Sequence, residues 1–134
     1  MNRLRIAAGL LAMAVVAGCQ EDINGPLQTG NWGGTGVTMV VSSTGTAFEF
    51  DCAHGFVDAR LVASGGRFSM DGQYVREHGG PVPEESEEDP VPATYDGTIR
   101  GSTMTLFVKL EDLQAPIGPY VLERGLQGGL RKCL

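Results

Sequence analysis

The feature that most constrains the fold is a two-residue alternation of apolar and polar side chains, which recurs along the chain from Gly36 onward. In one such stretch Phe48 and Phe50 share a face, while Glu49 and Asp51 share the other. A period of two is typical of a strand with one buried face. Turn-forming residues separate these stretches at intervals of roughly 8 to 12 residues, a spacing typical of a sandwich or a barrel. The pattern therefore predicts an all-β domain.

The alternation predicts eight short strands and no helix of useful length. The 20 glycines among 134 residues agree with this, because glycine weakens helix interiors and supplies tight turns. Hairpin-length links favour an antiparallel up-and-down β-barrel, whose closure removes exposed strand edges. A two-sheet β-sandwich stays open as the alternative. The predicted strands are Val37–Val41, Phe48–Cys52, Phe56–Ala63, Arg67–Val75, Tyr95–Gly101, Thr103–Leu110, Tyr120–Glu123 and Gly129–Cys133.

The first residues have the three parts of a secretory signal. Arg3 and Arg5 give a positive start, an apolar run extends from Ile6 to Val16, and small residues follow. The run has about 11 residues, too few to cross roughly 30 Å of hydrocarbon as a helix. We therefore predict a signal peptide over residues 1–18.

The sequence Val16-Ala17-Gly18-Cys19 resembles the lipobox of bacterial lipoproteins. The resemblance implies cleavage before Cys19, lipid on its sulfur, and attachment to a membrane through acyl chains. Gln20 in the next position implies the outer membrane, if the source has one. Residues 19–29 would then form a lipidated flexible tether before a domain at 30–134. An ordinary secreted protein and a leader that is never cleaved are the alternatives.

Cys52 and Cys133 remain once Cys19 is assigned to lipid. An even pair of cysteines outside the reducing cytoplasm favours a disulfide. The weaker alternative is a zinc site that combines both cysteines with His54 and His78, whose spacing fits known zinc motifs poorly.

A segment poor in apolar residues interrupts the strand pattern between His78 and Pro92. It contains four prolines and a cluster of five carboxylates at positions 84, 85, 87, 88 and 89. Such a segment repels itself and cannot contribute to a core. We predict a mobile acidic loop over residues 78–92, without the alternate spacing and central glycine of a calcium loop.

The ends of the domain resemble lipocalin-type and avidin-type barrels. Gly30-Asn31-Trp32 looks like the Gly-x-Trp that opens those barrels, and Arg131 stands where lipocalins pack an arginine over that tryptophan. The resemblance implies a small barrel with one apolar interior. The predicted interior residues are Trp32, Phe48, Phe50, Phe68, Met70, Tyr74 and Arg131.

The sequence contains no recognisable catalytic constellation. No serine lies in a Gly-x-Ser-x-Gly elbow, and His54 and His78 are the only two histidines. No motif for a cofactor or a metal is evident, and a net charge of −6 argues against nucleic acid as a partner. The expected function is a non-catalytic binding or interaction module of the cell envelope, anchored by lipid. The alternatives are a purely structural envelope lipoprotein and a lipocalin-like carrier of a small apolar ligand.

Overall fold

The computed structural model describes residues 22–78 and 89–133. Within these residues, eight antiparallel strands form a closed barrel, and two further two-residue strands pair with each other. The predicted up-and-down barrel is confirmed, and the sandwich alternative is wrong. The predicted signal peptide, Cys19 and residues 79–88 of the predicted acidic loop lie outside the described residues. The strands are β1 (Gly25–Pro26), β2 (Gly30–Gly34), β3 (Val37–Val41), β4 (Thr46–Phe50), β5 (Ala53–Val57), β6 (Val62–Ala63), β7 (Arg67–Arg76), β8 (Val91–Arg100), β9 (Thr103–Leu110) and β10 (Ile117–Arg124).

The barrel strands follow one another around the wall in chain order, and β10 returns to pair with β2. Alternate residues of each strand point into the barrel because successive side chains leave opposite faces. In β3 and β4 the directly paired residues Met39 and Phe48 are both buried, as are Val37 and Phe50. The interior is therefore one continuous apolar core.

The barrel has two open ends, which we name by their loops. The first rim carries the start of β2, the end of β10, and the links 42–45, 58–66 and 101–102. The second rim carries the links 35–36, 51–52 and 111–116 and the two ends of the connection between β7 and β8. The predicted loop of residues 78–92 lies in that connection. Its last residues belong to β8 instead, where Pro92 pairs with Gln73.

The eighth strand of the barrel is β2, and the predicted strand Gly129–Cys133 is not part of the wall. Glu123 and Arg124 of β10 pair with Gly33 and Trp32 of β2, which closes the barrel through a short seam. The chain after β10 runs instead across the outside of the wall, where Gly129 makes a single parallel bridge to Thr35. We call residues 125–133 the C-terminal strap.

The strap lies directly on the backbone of the strands beneath it. The Gly128 amide donates to the Thr38 hydroxyl at 2.9 Å, and the Gly36 amide donates to the Gly129 carbonyl at 3.0 Å. A Cβ on Gly128 would collide with the Val37 carbonyl. Glycine is required there because no side chain fits between the two backbones.

The predicted third strand, Phe56–Ala63, is divided. β5 ends at Val57, and residues 58–61 form a link before the two residues of β6. Ala59, predicted to face inward, is exposed, whereas Leu61 is buried. His54, expected at a turn, lies within β5 with its side chain exposed.

The predicted flexible tether is wrong for residues 22–29, which dock on the first rim. Gly25 and Pro26 pair with Ala63 and Val62, so that β1 and β6 form a small flap. Leu27 is buried, and its amide donates to the Leu61 carbonyl at 2.9 Å. This segment is ordered because it covers apolar side chains that the rim would otherwise expose to water.

Candidate functional site

Most of the predicted interior residues do fill the barrel. Trp32, Phe48, Phe50, Phe68 and Tyr74 are buried, and Met70 is partly buried against the same core. The prediction for Arg131 is wrong, because this residue is exposed and belongs to the C-terminal strap. Arg131 cannot face the interior because the strap passes outside the wall.

Stacked aromatic rings occupy the middle of the barrel. The rings of Phe48 and Tyr95 are nearly parallel, with centroids 4.1 Å apart. Phe50 lies between the tilted rings of Tyr74 and Tyr120, at 5.6 Å and 5.2 Å. Offset and tilted ring pairs of this kind stabilise a core beyond the area that they bury.

Tyr95 crosses the interior and is held at its far end. Its hydroxyl donates to the Gln73 carbonyl at 2.6 Å and lies directly over Gly55, where any Cβ would collide with it. Burial raises the pKa of Tyr95 well above its usual value, so the hydroxyl stays protonated as a donor. The space across from β5 is thus taken by a fixed ring, not by a free cavity.

An arginine does pack over the tryptophan, but it is Arg124 and not Arg131. The Arg124 guanidinium lies 5.0 Å from the centre of the Trp32 ring, at the end of β10. Such a cation over an aromatic face is favourable by about 1 kcal/mol. Together these two side chains close the barrel at the first rim, where an open depression of about 230 Å³ lies above them.

Further arginines surround the first rim. Arg67 and Arg100 line a second depression of about 430 Å³, together with Asp22, Gly65, Thr98, Ile99 and Gly101. Across the described parts of the chain, neither arginine forms an ion pair, and Arg60 in the 58–61 link forms none either. Unpaired guanidinium groups on a surface are available to bind phosphate or carboxylate groups.

The second rim is held by the end of the C-terminal strap. Cys52 and Cys133 form the predicted disulfide, with Cα atoms 5.1 Å apart. The zinc alternative is wrong, because both thiols are bonded to each other. Among the described residues, no group of three potential ligands could hold a metal ion.

Lys132 clamps the strap beside the disulfide. Its ammonium donates to Glu49 at 2.7 Å and to Glu77 at 2.8 Å. Burial alone would lower the pKa of Lys132, but the two carboxylates outweigh burial and raise it. Burial would likewise raise the pKa of Glu77, but Lys132 and then His54 hold it below its usual value. Lys132, Glu49 and Glu77 therefore form an exposed latch that holds the C-terminal strap on the barrel wall.

The comparisons identify no relative. No family model, curated protein or solved structure matches the chain. The candidate site therefore rests on geometry alone. Within the part of the chain that the structure describes, no helix is both long and apolar enough to cross a bilayer.

Sequence reasoning missed three residues that organise the two rims and the interior. Tyr95 shares its face with Ala93, Gly97 and Ile99, so the alternation in β8 was a usable signal for its burial. Arg124 and Lys132 gave no such signal, because their partners lie about 90 residues and 83 residues away in the chain.

Proposed function

We propose that this protein is a lipid-anchored module of the cell envelope, whose barrel is a non-catalytic scaffold for interaction with another protein. The anchor is the Cys19 sulfur. The observation that carries the proposal is the docking of residues 22–29 on the first rim. Asp22 stands three positions after Cys19, and an extended chain advances at most about 3.5 Å per residue. The acyl chains would therefore begin within about 10 Å of the first rim.

The opposite end of the barrel is then the part offered to a partner. The second rim carries Glu49, Asp51, Glu77, Asp89, Glu111 and Asp112. The sequence of the β7–β8 connection adds four glutamates between residues 84 and 88. This excess of carboxylates favours a partner with a basic surface, because complementary charge speeds association and selects partners.

The filled interior argues against a carrier of small apolar ligands. Ligand pockets usually enclose about 300–1,000 Å³ of concave space. Here Phe48, Tyr95 and Trp32 occupy the interior themselves and are almost fully buried. An eight-stranded barrel has room for its own side chains or for one small ligand, and these rings take that room.

The test compares Cys19→Ser with Cys133→Ser in the full chain, expressed in a bacterium with two membranes. Intact-mass spectrometry and membrane fractionation should show a cleaved, acylated, membrane-bound parent protein. Cys133→Ser should keep the acyl mass, whereas Cys19→Ser should lose it together with cleavage. An acylated Cys19→Ser variant, or a soluble parent with an unmodified Cys19, would contradict the anchor.

Affinity capture on the parent, repeated after the carboxylates at 84, 85, 87 and 88 are changed to glutamine, tests the interaction role. A partner that depends on these carboxylates supports the module. Capture of the same proteins by both forms would contradict a partner site on these carboxylates, and capture of no specific protein by either form would favour the purely structural alternative.

A further inference from the structure

The first rim differs in charge from the rest of the molecule. Among the described residues it carries four arginines against three carboxylates. The carboxylates are Asp22, Asp58 and Glu123, and the arginines are Arg60, Arg67, Arg100 and Arg124. The second rim has six carboxylates against Arg76, Lys109, Arg131 and Lys132, and the sequence adds four glutamates between residues 84 and 88. The protein is therefore electrically polar along the barrel axis, although its net charge is −6.

Three of the four arginines of the first rim are free to meet a ligand. Arg60, Arg67 and Arg100 are exposed, and none has an ion-pair partner within residues 22–78 and 89–133. Arg67 and Arg100 face one shared depression. By contrast, Lys132, Arg76 and Lys109 elsewhere on the barrel are each paired with a carboxylate.

Exposed apolar side chains lie on the same rim as these arginines. Pro26 and Val62 are paired across the flap of β1 and β6, and both are exposed, Val62 to 49%. Arg60 and Arg67 flank the flap in sequence on either side of β6. Apolar residues bordered by cations are the pattern of surfaces that rest in the headgroup region of a bilayer.

We propose that the first rim docks on an anionic lipid surface, with Arg67 and Arg100 contacting headgroup phosphates and the flap entering the interface. A lipid surface is the partner that the chain itself indicates. Asp22, the first described residue, lies on this rim, and the residues before it lead to the predicted anchor. The inference deepens the proposed function and rests on it for the biological setting. Its consequence is a fixed orientation, in which the acidic second rim points away from the membrane because an anionic surface repels it.

The test uses residues 22–134, which carry all eight barrel strands, the docked segment and both cysteines of the disulfide. This fragment lacks Cys19, so its binding does not depend on acylation. Vesicles of equimolar phosphatidylglycerol and phosphatidylcholine are titrated into it, with vesicles of phosphatidylcholine alone as the reference. Trp32, the single tryptophan, lies at the first rim and serves as the donor for energy transfer to a dansyl-labelled lipid headgroup.

Transfer should be strong on the anionic vesicles and should weaken as salt screens the charges. The variant Arg67→Gln/Arg100→Gln should lose about fivefold in partitioning for each arginine at low salt. The charge-matched variant Lys109→Gln/Arg131→Gln should partition like the parent. All the substituted residues are exposed, so equal melting temperatures check that each variant is folded.

Equal partitioning on both vesicle types, or an equal loss in the control variant, would overturn the docking surface. If the fragment does not fold, the same transfer measurement is made on the full chain reconstituted in the two lipid mixtures. Arginine-dependent transfer without acyl mass on Cys19 would support the rim and reject the anchor. Acylation of Cys19 without arginine-dependent transfer would support the anchor and reject the docking of the first rim.

Discussion

The contact between Gly55 and Tyr95 gives the sharpest test of a filled interior. In Gly55→Ala, the new Cβ would collide with the Tyr95 hydroxyl and approach the Gln73 carbonyl to 2.9 Å. Forcing one extra carbon into a packed core costs about 1–3 kcal/mol. Displacing the hydroxyl also breaks its hydrogen bond to Gln73, which contributes about 1 kcal/mol. We expect a loss of about 3 kcal/mol in unfolding free energy and a melting temperature lower by about 10 °C.

The assay is urea and thermal unfolding, followed by circular dichroism under oxidising conditions. Gly129→Ala is the matched control, since a Cβ there meets nothing within 4 Å and the change should stay within about 0.5 kcal/mol. The double variant Gly55→Ala/Tyr95→Phe should lose less unfolding free energy than the sum of the losses in the two single variants, because the colliding oxygen is gone. If Gly55→Ala is as stable as Gly129→Ala, the interior has spare room, and a small apolar ligand again becomes a credible occupant.

The remaining predictions concern the second rim. Cys52→Ala should destabilise the oxidised protein by about 4.5 kcal/mol, since the bond to Cys133 spans 81 residues. The same change should have little effect after reduction, and equal losses in both states would assign the effect to packing. Lys132→Gln should lower the unfolding free energy by at most about 1 kcal/mol at pH 7, because the ion pairs of Lys132 are partly exposed to solvent. The lowered pKa of Glu77 gives stability that is present above its ordinary 4.5 and lost as the pH falls through the folded value. The gap between parent and Lys132→Gln in unfolding free energy should therefore narrow from pH 5 to pH 3, and a constant gap would refute the latch.

The parts of the fold that sequence reasoning predicted correctly are those where local pattern and packing agree. Met39 shares a face with Val37 and Val41, and Phe48 shares a face with Phe50; the barrel buries both faces as the period of two requires. β2 was missed because Gly30–Gly34 has few of the branched residues that favour strands. Its conformation is imposed by pairing with β3 and by the strap above it.

The errors at the two chain ends have a common physical cause. Residues 129–133 were predicted to form the last strand of the barrel, but a short extended segment does not itself say which neighbour it pairs with. The position of the strap is decided by contacts with residues about 80–90 positions earlier, among them Asp51 and Thr38. Residues 22–29 looked like a linker because their composition is polar and contains Gly25-Pro26. Only the exposed apolar rim, visible in three dimensions, explains why Leu27 is buried.

Because the seam depends on the C-terminal strap, the barrel is completed late in the synthesis of the chain. β2 and β10 share two residue pairs, and the rest of the joint depends on residues 125–133 bonding to the chain near Asn31, Gly36 and Asp51. The ribosome synthesises Asn31, Gly36 and Asp51 about 80 to 90 residues before their bonding partners in the strap. Early hairpins need only neighbouring strands, but the full set of bonds at the seam forms only when residues 125–133 are also present. A chain that ended at Arg124 would keep nearly all of its buried apolar residues, but β2 and β10 would be joined by two residue pairs alone, with much of both strand edges unpaired.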